Sequence, residues 1–221
     1  MTAPEPALCA RDLAWSVEGR WVLLDAALAV AAGSVCALWG GNGAGKSSLL
    51  RLLAGLVPPD RGQVALFGVP LADVEPRDLC RHLAWLGHEP GLYLDLTAIE
   101  NISLFAALQG RPASHRALAD HLARVGLHPA ETRRRVRGLS RGMQQRVALA
   151  RLLCGEQRVW LLDEPATGLD AEGQRMLAEL LHGARSEGRA VVVASHQFGF
   201  LRGADAWWQV RDGHLVAGVP A

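Results

Sequence analysis

Residues 40–47 read Gly-Gly-Asn-Gly-Ala-Gly-Lys-Ser, a stretch that leaves few folds open to the chain. Its four glycines let the backbone curl until successive N–H groups point inward. Lys46 is the single lysine among 23 basic residues; the others are all arginine. Upstream, residues 34–39 form a short apolar run with the character of a buried strand. Downstream, residues 48–54 carry a helical apolar pattern that ends near Gly55. Strand, glycine loop and helix in that order make a phosphate-binding loop. The predicted phosphate contacts are Gly40, Gly41, Asn42, Gly43, Ala44, Gly45, Lys46, Ser47 and Ser48. The helix N-terminus supplies the positive end of a dipole. Lys46 is placed to reach the β- and γ-phosphates of a bound nucleotide, and the Ser47 hydroxyl to ligate Mg²⁺.

The rest of the chain fits an α/β protein. Its 221 residues suit one large domain, or one domain with a lobe. Strand-like runs at 7–17, 21–30 and 35–39 precede the loop, and 63–67 and 83–86 follow it. From about residue 90 the character changes to helix, at 98–109, 114–125 and 141–154. Two wholly apolar strands then appear, 159–162 and 190–194, separated by a helix at 171–184. Apolar strands between helices indicate a parallel sheet covered on both faces. A hairpin of 206–210 and 214–219, turned at Asp212-Gly213, closes the chain. The expected layout is one domain: 1–88 and 156–221 as the α/β core, and 89–155 as an inserted helical subdomain.

Composition excludes several classes. With 23 basic against 22 acidic residues the net charge is +1, which gives no overall electrostatic footprint for nucleic acid. No uncharged apolar run approaches the roughly 18 residues that span a bilayer. Residues 1–12 lack the basic-then-apolar order of a secretory leader. Cys9, Cys36, Cys80 and Cys154 are scattered, without a C-x-x-C pair, and read as reduced thiols.

Two further strand ends carry polar groups. The run 159–162 ends in Asp163-Glu164-Pro165. Asp163 can hold Mg²⁺ opposite Ser47. Glu164 is placed to orient or deprotonate an attacking water. The run 191–194 ends in Ser195-His196, and His196 can hydrogen-bond the γ-phosphate or that water. Ligand sites of parallel sheets lie at the carboxyl ends of strands. Lys46, Glu164 and His196 are accordingly the catalytic candidates.

In these motifs the chain resembles the ATP-binding subunits of ABC transporters over nearly its whole length. That family's signature loop, Leu-Ser-Gly-Gly-Gln, appears as Leu139-Ser140-Arg141-Gly142-Met143, and Gln144-Gln145-Arg146-Val147-Ala148-Leu149-Ala150-Arg151 is similar to the family's following helix. Thr167-Gly168-Leu169-Asp170 and then His196 follow in the family's order. The resemblance implies a P-loop NTPase (RecA-like) core, with N-terminal antiparallel strands and an inserted helical subdomain. It implies ATP and Mg²⁺ as ligands, and a head-to-tail dimer. Ser140 and Gly142 of one subunit would contact the γ-phosphate bound by the other, and Asp170 would lie at the dimer seam. It also implies separate integral-membrane permease subunits, and a peripheral place on the cytoplasmic face of the inner membrane.

Three departures stand out. Arg141 and Met143 replace a glycine and a glutamine of the signature, which predicts a slow enzyme. Glu89 stands where the family carries a glutamine. It can still ligate Mg²⁺, but it adds a negative charge near the triphosphate. The aromatic that stacks on adenine is missing near Val17, which leaves Trp15 and Trp21 as substitutes or as ordinary core or surface residues. Within the superfamily the chain looks most like the haem-exporter ATPases of bacterial cytochrome c maturation, on Gly87-His88-Glu89-Pro90-Gly91-Leu92, Leu96-Thr97-Ala98-Ile99-Glu100-Asn101 and Ser195-His196-Gln197. The loop with Leu92, Tyr93 and Leu94 is the expected coupling surface. An ABC ATPase with another substrate, a soluble one acting on nucleic acid, and a haem-binding regulatory module remain the alternatives.

Overall fold

A computed structural model describes residues 5–220. The ends of both core segments, and the start of the 1–12 stretch read as lacking a leader, lie outside the described residues. The chain opens with a hairpin of β1 (Leu8–Val17) and β2 (Arg20–Val30). Glu18 and Gly19 form its two-residue turn with φ of 49° and 77°, the left-handed pair that matches strand twist. β3 (Val35–Trp39), α1 (Lys46–Leu53), β4 (Arg61–Leu66) and β5 (Val69–Pro70) follow. Then come α2 (Pro76–His82), β6 (Leu83–Leu86), and the helices α3 (Ala98–Leu108), α4 (His115–Arg124), α5 (Pro129–Thr132) and α6 (Arg141–Leu153). The chain returns through β7 (Val159–Asp163), α7 (Ala171–Ser186), β8 (Ala190–Ala194), β9 (Ala206–Arg211) and β10 (His214–Ala217).

Two sheets result. One is antiparallel, in the order β2-β1-β4-β5. The other runs β10-β9-β3-β8-β7-β6, parallel except for β10. Alternation along the parallel strands divides their side chains between two cores. Ala37, Trp160, Leu162, Val191 and Val193 pack with the helical lobe and α7. Cys36, Leu38, Leu161, Val192 and Ala194 pack with α1 and the antiparallel sheet. Burial on both faces explains why β7 and β8 lack any polar alternation. Burial also raises the Cys36 thiol on β3 to about 12, and that of Cys154, at the end of α6, to about 11, which disfavours the thiolate at both.

The lobe is closed by local chemistry. Thr97 caps α3 with a reciprocal box: its Oγ1 accepts from the Glu100 N–H at 3.3 Å, and Glu100 Oε2 accepts from the Thr97 N–H at 2.8 Å. Asn101, fully buried, accepts from the Tyr93 N–H at 2.8 Å and donates to the Tyr93 and Thr97 carbonyls at 2.9 and 3.0 Å. Arg151 stacks on Phe105 and donates to the carbonyls of Gly91 and Trp85. The loop from 87 to 94 is thus held at both ends. Among the described residues no helix is long and apolar enough to cross a membrane.

Candidate active site

β3, β8 and β7 are adjacent and parallel, so the chain leaves all three at one edge of the sheet. The loop after β3 enters α1 directly. Gly40, Gly43 and Gly45 have φ of 148°, 73° and 104°, conformations that side chains rarely adopt. Gly40 meets a second demand: a Cβ there would stand 2.5 Å from the Val210 carbonyl oxygen. α1 has no side-chain cap and no acidic residue in its first turn, so its first N–H groups and dipole remain available to an anion. Lys46 is buried, and its Nζ donates to the carbonyls of Gly40 and Gly41 at 2.9 and 3.0 Å.

Asp163, at the end of β7, is 3% exposed. Burial pushes its carboxyl upward, the neighbouring Glu164 adds to this, and a hydrogen bond with Ser47 opposes it. The charges of His88 and Arg51 also act against the rise. Its Oδ1 has no hydrogen-bond partner among the described residues. A buried carboxylate oxygen without a partner, beside a serine hydroxyl, is a hard oxygen pair that suits Mg²⁺, an ion that keeps much of its water.

Glu164 departs from the strand. Its φ is 52°, a left-handed conformation, while its N–H still donates to the Ala194 carbonyl at 2.8 Å. The change of direction brings its Oε2 to β8's end. There it accepts from Ser195 Oγ at 3.2 Å and the His196 N–H at 3.4 Å, and lies 2.9 Å from His196 Nδ1. Ser195 is fully buried and also accepts from the Gln197 N–H at 3.0 Å. Glu164 and His196 are therefore in direct contact, while Asp163 faces α1. Ser195 was not singled out by the sequence. A serine at the end of an apolar strand signals little until its neighbour strand is known.

The signature loop begins α6. Ser140 caps that helix, accepting from the Met143 N–H at 3.2 Å. Gly142 lies against the loop after β7: a Cβ on it would stand 2.5 Å from the Gly168 carbonyl oxygen. Gln145, buried on α6, donates to the Pro165 carbonyl at 2.9 Å. The helix of the signature is thus tied to the residues that follow Glu164, a link the sequence reading also missed. Asp170 caps α7 through the Gly173 N–H at 2.8 Å and pairs with Arg146 at 3.2 Å. The hydrogen bond from Gly173 and the charge of Arg146 hold its carboxyl below the usual range.

Glu89 is exposed, and among the described residues it joins no cluster of three metal-holding side chains. Its neighbour His88 is the residue of that loop whose charge reaches Asp163. Of the expected coupling residues, Tyr93 and Leu94 are each 54% exposed, whereas Leu92 packs against the lobe core.

The ABC transporter family model matches residues 23–167. A cytochrome c biogenesis ATP-binding export protein, CcmA, of Cupriavidus pinatubonensis is 42% identical over 96% of this chain and 92% of its own. The chain belongs to the ABC transporter ATPases. Within them it groups with the cytochrome c biogenesis ATP-binding export proteins, and it is an ATP-binding and ATP-hydrolysing subunit. Solved structures agree on the fold. One described as the ATP-binding subunit of an ABC transporter has a TM-score of 0.87 at 29% identity, covering 96% of this chain and 90% of its own. A dimeric ATP-binding cassette in a post-hydrolysis state with ADP and phosphate has a TM-score of 0.86 at 23% identity, with 94% and 96% covered.

The close approach at Gly142 makes one expectation sharp. Gly142→Ala forces the signature loop and the 167–170 loop apart, an overpacking of about 1–3 kcal/mol. Steady-state hydrolysis is expected to fall at least tenfold (about 1.4 kcal/mol). Nucleotide affinity at the phosphate loop should stay within about twofold of wild type by titration.

Proposed function

We propose that this chain energises an exporter that serves haem delivery in c-type cytochrome biogenesis. Two copies would close head to tail around two MgATP, each offering Ser140 and Gly142 to the γ-phosphate held by the other, with Asp170 at the seam. Separate integral-membrane subunits would receive the motion on the exposed Tyr93 and Leu94, at the cytoplasmic face of the inner membrane. The observation that carries the hydrolytic part is the Glu164 carboxylate, oriented by Ser195 and His196 one residue after Asp163. The 42% identity to a cytochrome c biogenesis export protein supports the pathway.

In this reading Glu164 takes a proton from the attacking water. His196, within 2.9 Å of that carboxylate, holds it in place, and would hydrogen-bond the γ-phosphate. Lys46 and the free N–H groups of α1 stabilise the charge that develops on the transferred phosphoryl group. Ser47 and Asp163 would hold Mg²⁺, which neutralises phosphate charge when bound. Glu89, exposed on the loop after β6, would be a further ligand of that ion.

The pathway is tested by isolating the chain from detergent-solubilised membranes and identifying its partners by mass, with ATPase activity assayed on the same fraction. Membrane subunits of a cytochrome c maturation complex are the expected result. An unrelated permease would keep the ATPase and discard haem delivery.

A further inference from the structure

The imidazole of His196 has little to hold it. Its side chain is 57% exposed, and among the described residues its one hydrogen-bonding partner is Glu164 Oε2, 2.9 Å away. Such a side chain is aimed by its backbone. The segment that leaves β8 therefore decides where the pair points. No strand ladder holds that segment. The His196 N–H is spent on Glu164 Oε2 and the Gln197 N–H on Ser195 Oγ, both side-chain oxygens.

Two anchors lie just beyond. Phe198 meets Trp39 and Trp207 edge-on, with ring centres 6.2 and 5.9 Å away. Gln197 reaches α7, where its Oε1 accepts from Gln174 Nε2 at 2.8 Å. Both glutamines are half-buried, so water competes less for the bond. Gln174 is itself firmly placed. Gly173 and Leu177 beside it are buried, and its N–H donates to the Asp170 carbonyl at 2.9 Å. Among the described residues its side-chain amide has no hydrogen-bond partner besides Gln197. The bonds form one run: Gln174 Nε2 to Gln197 Oε1, the Gln197 N–H to Ser195 Oγ at 3.0 Å, and Ser195 Oγ to Glu164 Oε2 at 3.2 Å.

We propose that Gln174 is a positioning residue for hydrolysis. From α7 it pins Gln197, and through that residue it holds the Glu164–His196 pair in the orientation that attack by water requires. This rests on Glu164 acting as the base. Gln174 contacts neither member of the pair and acts through Gln197 and Ser195.

The test measures kcat, KM and MgATP affinity in wild type, Gln174→Leu, Gln197→Leu and the double variant, with Glu164→Gln alongside. Leucine keeps the bulk, suits a helix and removes the amide. A misaimed base costs rate and spares binding. Each single variant is expected to lose at least about fivefold in kcat, with KM and MgATP affinity within about twofold of wild type. Because one bond is broken in either case, the double variant should fall no further than the weaker single one. Wild-type kcat in Gln174→Leu beside an inactive Glu164→Gln overturns the positioning role and leaves the base in place. A loss carried wholly by KM also overturns it, as does a double variant whose loss is the product of the two single losses. Wild-type turnover in Glu164→Gln overturns the base, and with it the role of Gln174. Where Gln174→Leu does not fold, Gln197→Leu, which lies off the helix, decides by the same kcat and KM criteria.

Discussion

Glu164→Gln is expected to reduce steady-state ATP hydrolysis by about 10²–10⁴-fold, the range a positioned general base contributes. The substitution keeps the side chain's shape. Its amide oxygen can still accept from Ser195 Oγ and the His196 N–H, the contacts Oε2 makes in the wild type. The left-handed turn at Glu164 is set by the backbone hydrogen bond to Ala194 and should survive. What disappears is the capacity to take a proton. Binding should therefore persist while turnover stops, and the ATP-bound pair should accumulate. Phosphate release measured beside size-exclusion chromatography in MgATP separates the two effects. Unchanged turnover would remove Glu164 from the role of base and leave His196 as the nearest candidate.

The phosphate loop, β3, β7 and β8 were legible because their signals are local. A glycine run has a meaning fixed by backbone geometry, and a strand buried on both faces is apolar throughout. α2 was not legible, because none of its seven residues is buried and no apolar period marks it. α5 escaped for a different reason: its four residues are too short to show a period. Asp163, Glu164 and His196 could be named as strand ends, since only the adjacency of β7 and β8 was needed. Ser195 could not be named as the donor to Glu164, because that contact depends on a left-handed residue inside Asp163-Glu164-Pro165. Nor could Gln145, whose partner is a backbone carbonyl twenty residues away. Trp15 and Trp21 show the same limit: on the two strands of one hairpin, the first packs against a core and the second is half exposed. The helical lobe was legible as helices. The reciprocal box at Thr97 and the Asn101 bridge emerge only when side chains are placed.

Lys46→Ala is expected to fail at the step before Glu164→Gln. Lys46 is buried, yet among the described residues its ammonium contacts only the carbonyls of Gly40 and Gly41, with no carboxylate in salt-bridge range. Carbonyl dipoles satisfy its protons, but they leave the charge unneutralised, so a phosphate brings what the loop lacks. Each hydrogen bond to a charged group is worth about 1.5–3 kcal/mol. Removal of the ammonium should therefore weaken MgATP binding by about 10- to 100-fold and abolish measurable turnover. The fold itself should change little. Alanine suits the first turn of α1, and the φ values of the loop are set by its glycines. Thermal unfolding distinguishes this from simple damage. A ligand that binds only the native state raises Tm by mass action. In wild type and in Glu164→Gln, saturating MgATP should raise Tm; in Lys46→Ala the same concentration should leave it near the ligand-free value. A ligand-free Tm already far below wild type would instead make Lys46 a structural residue of the loop. A full MgATP-induced rise in Lys46→Ala would place the binding energy in the α1 N-terminus and the loop amides alone.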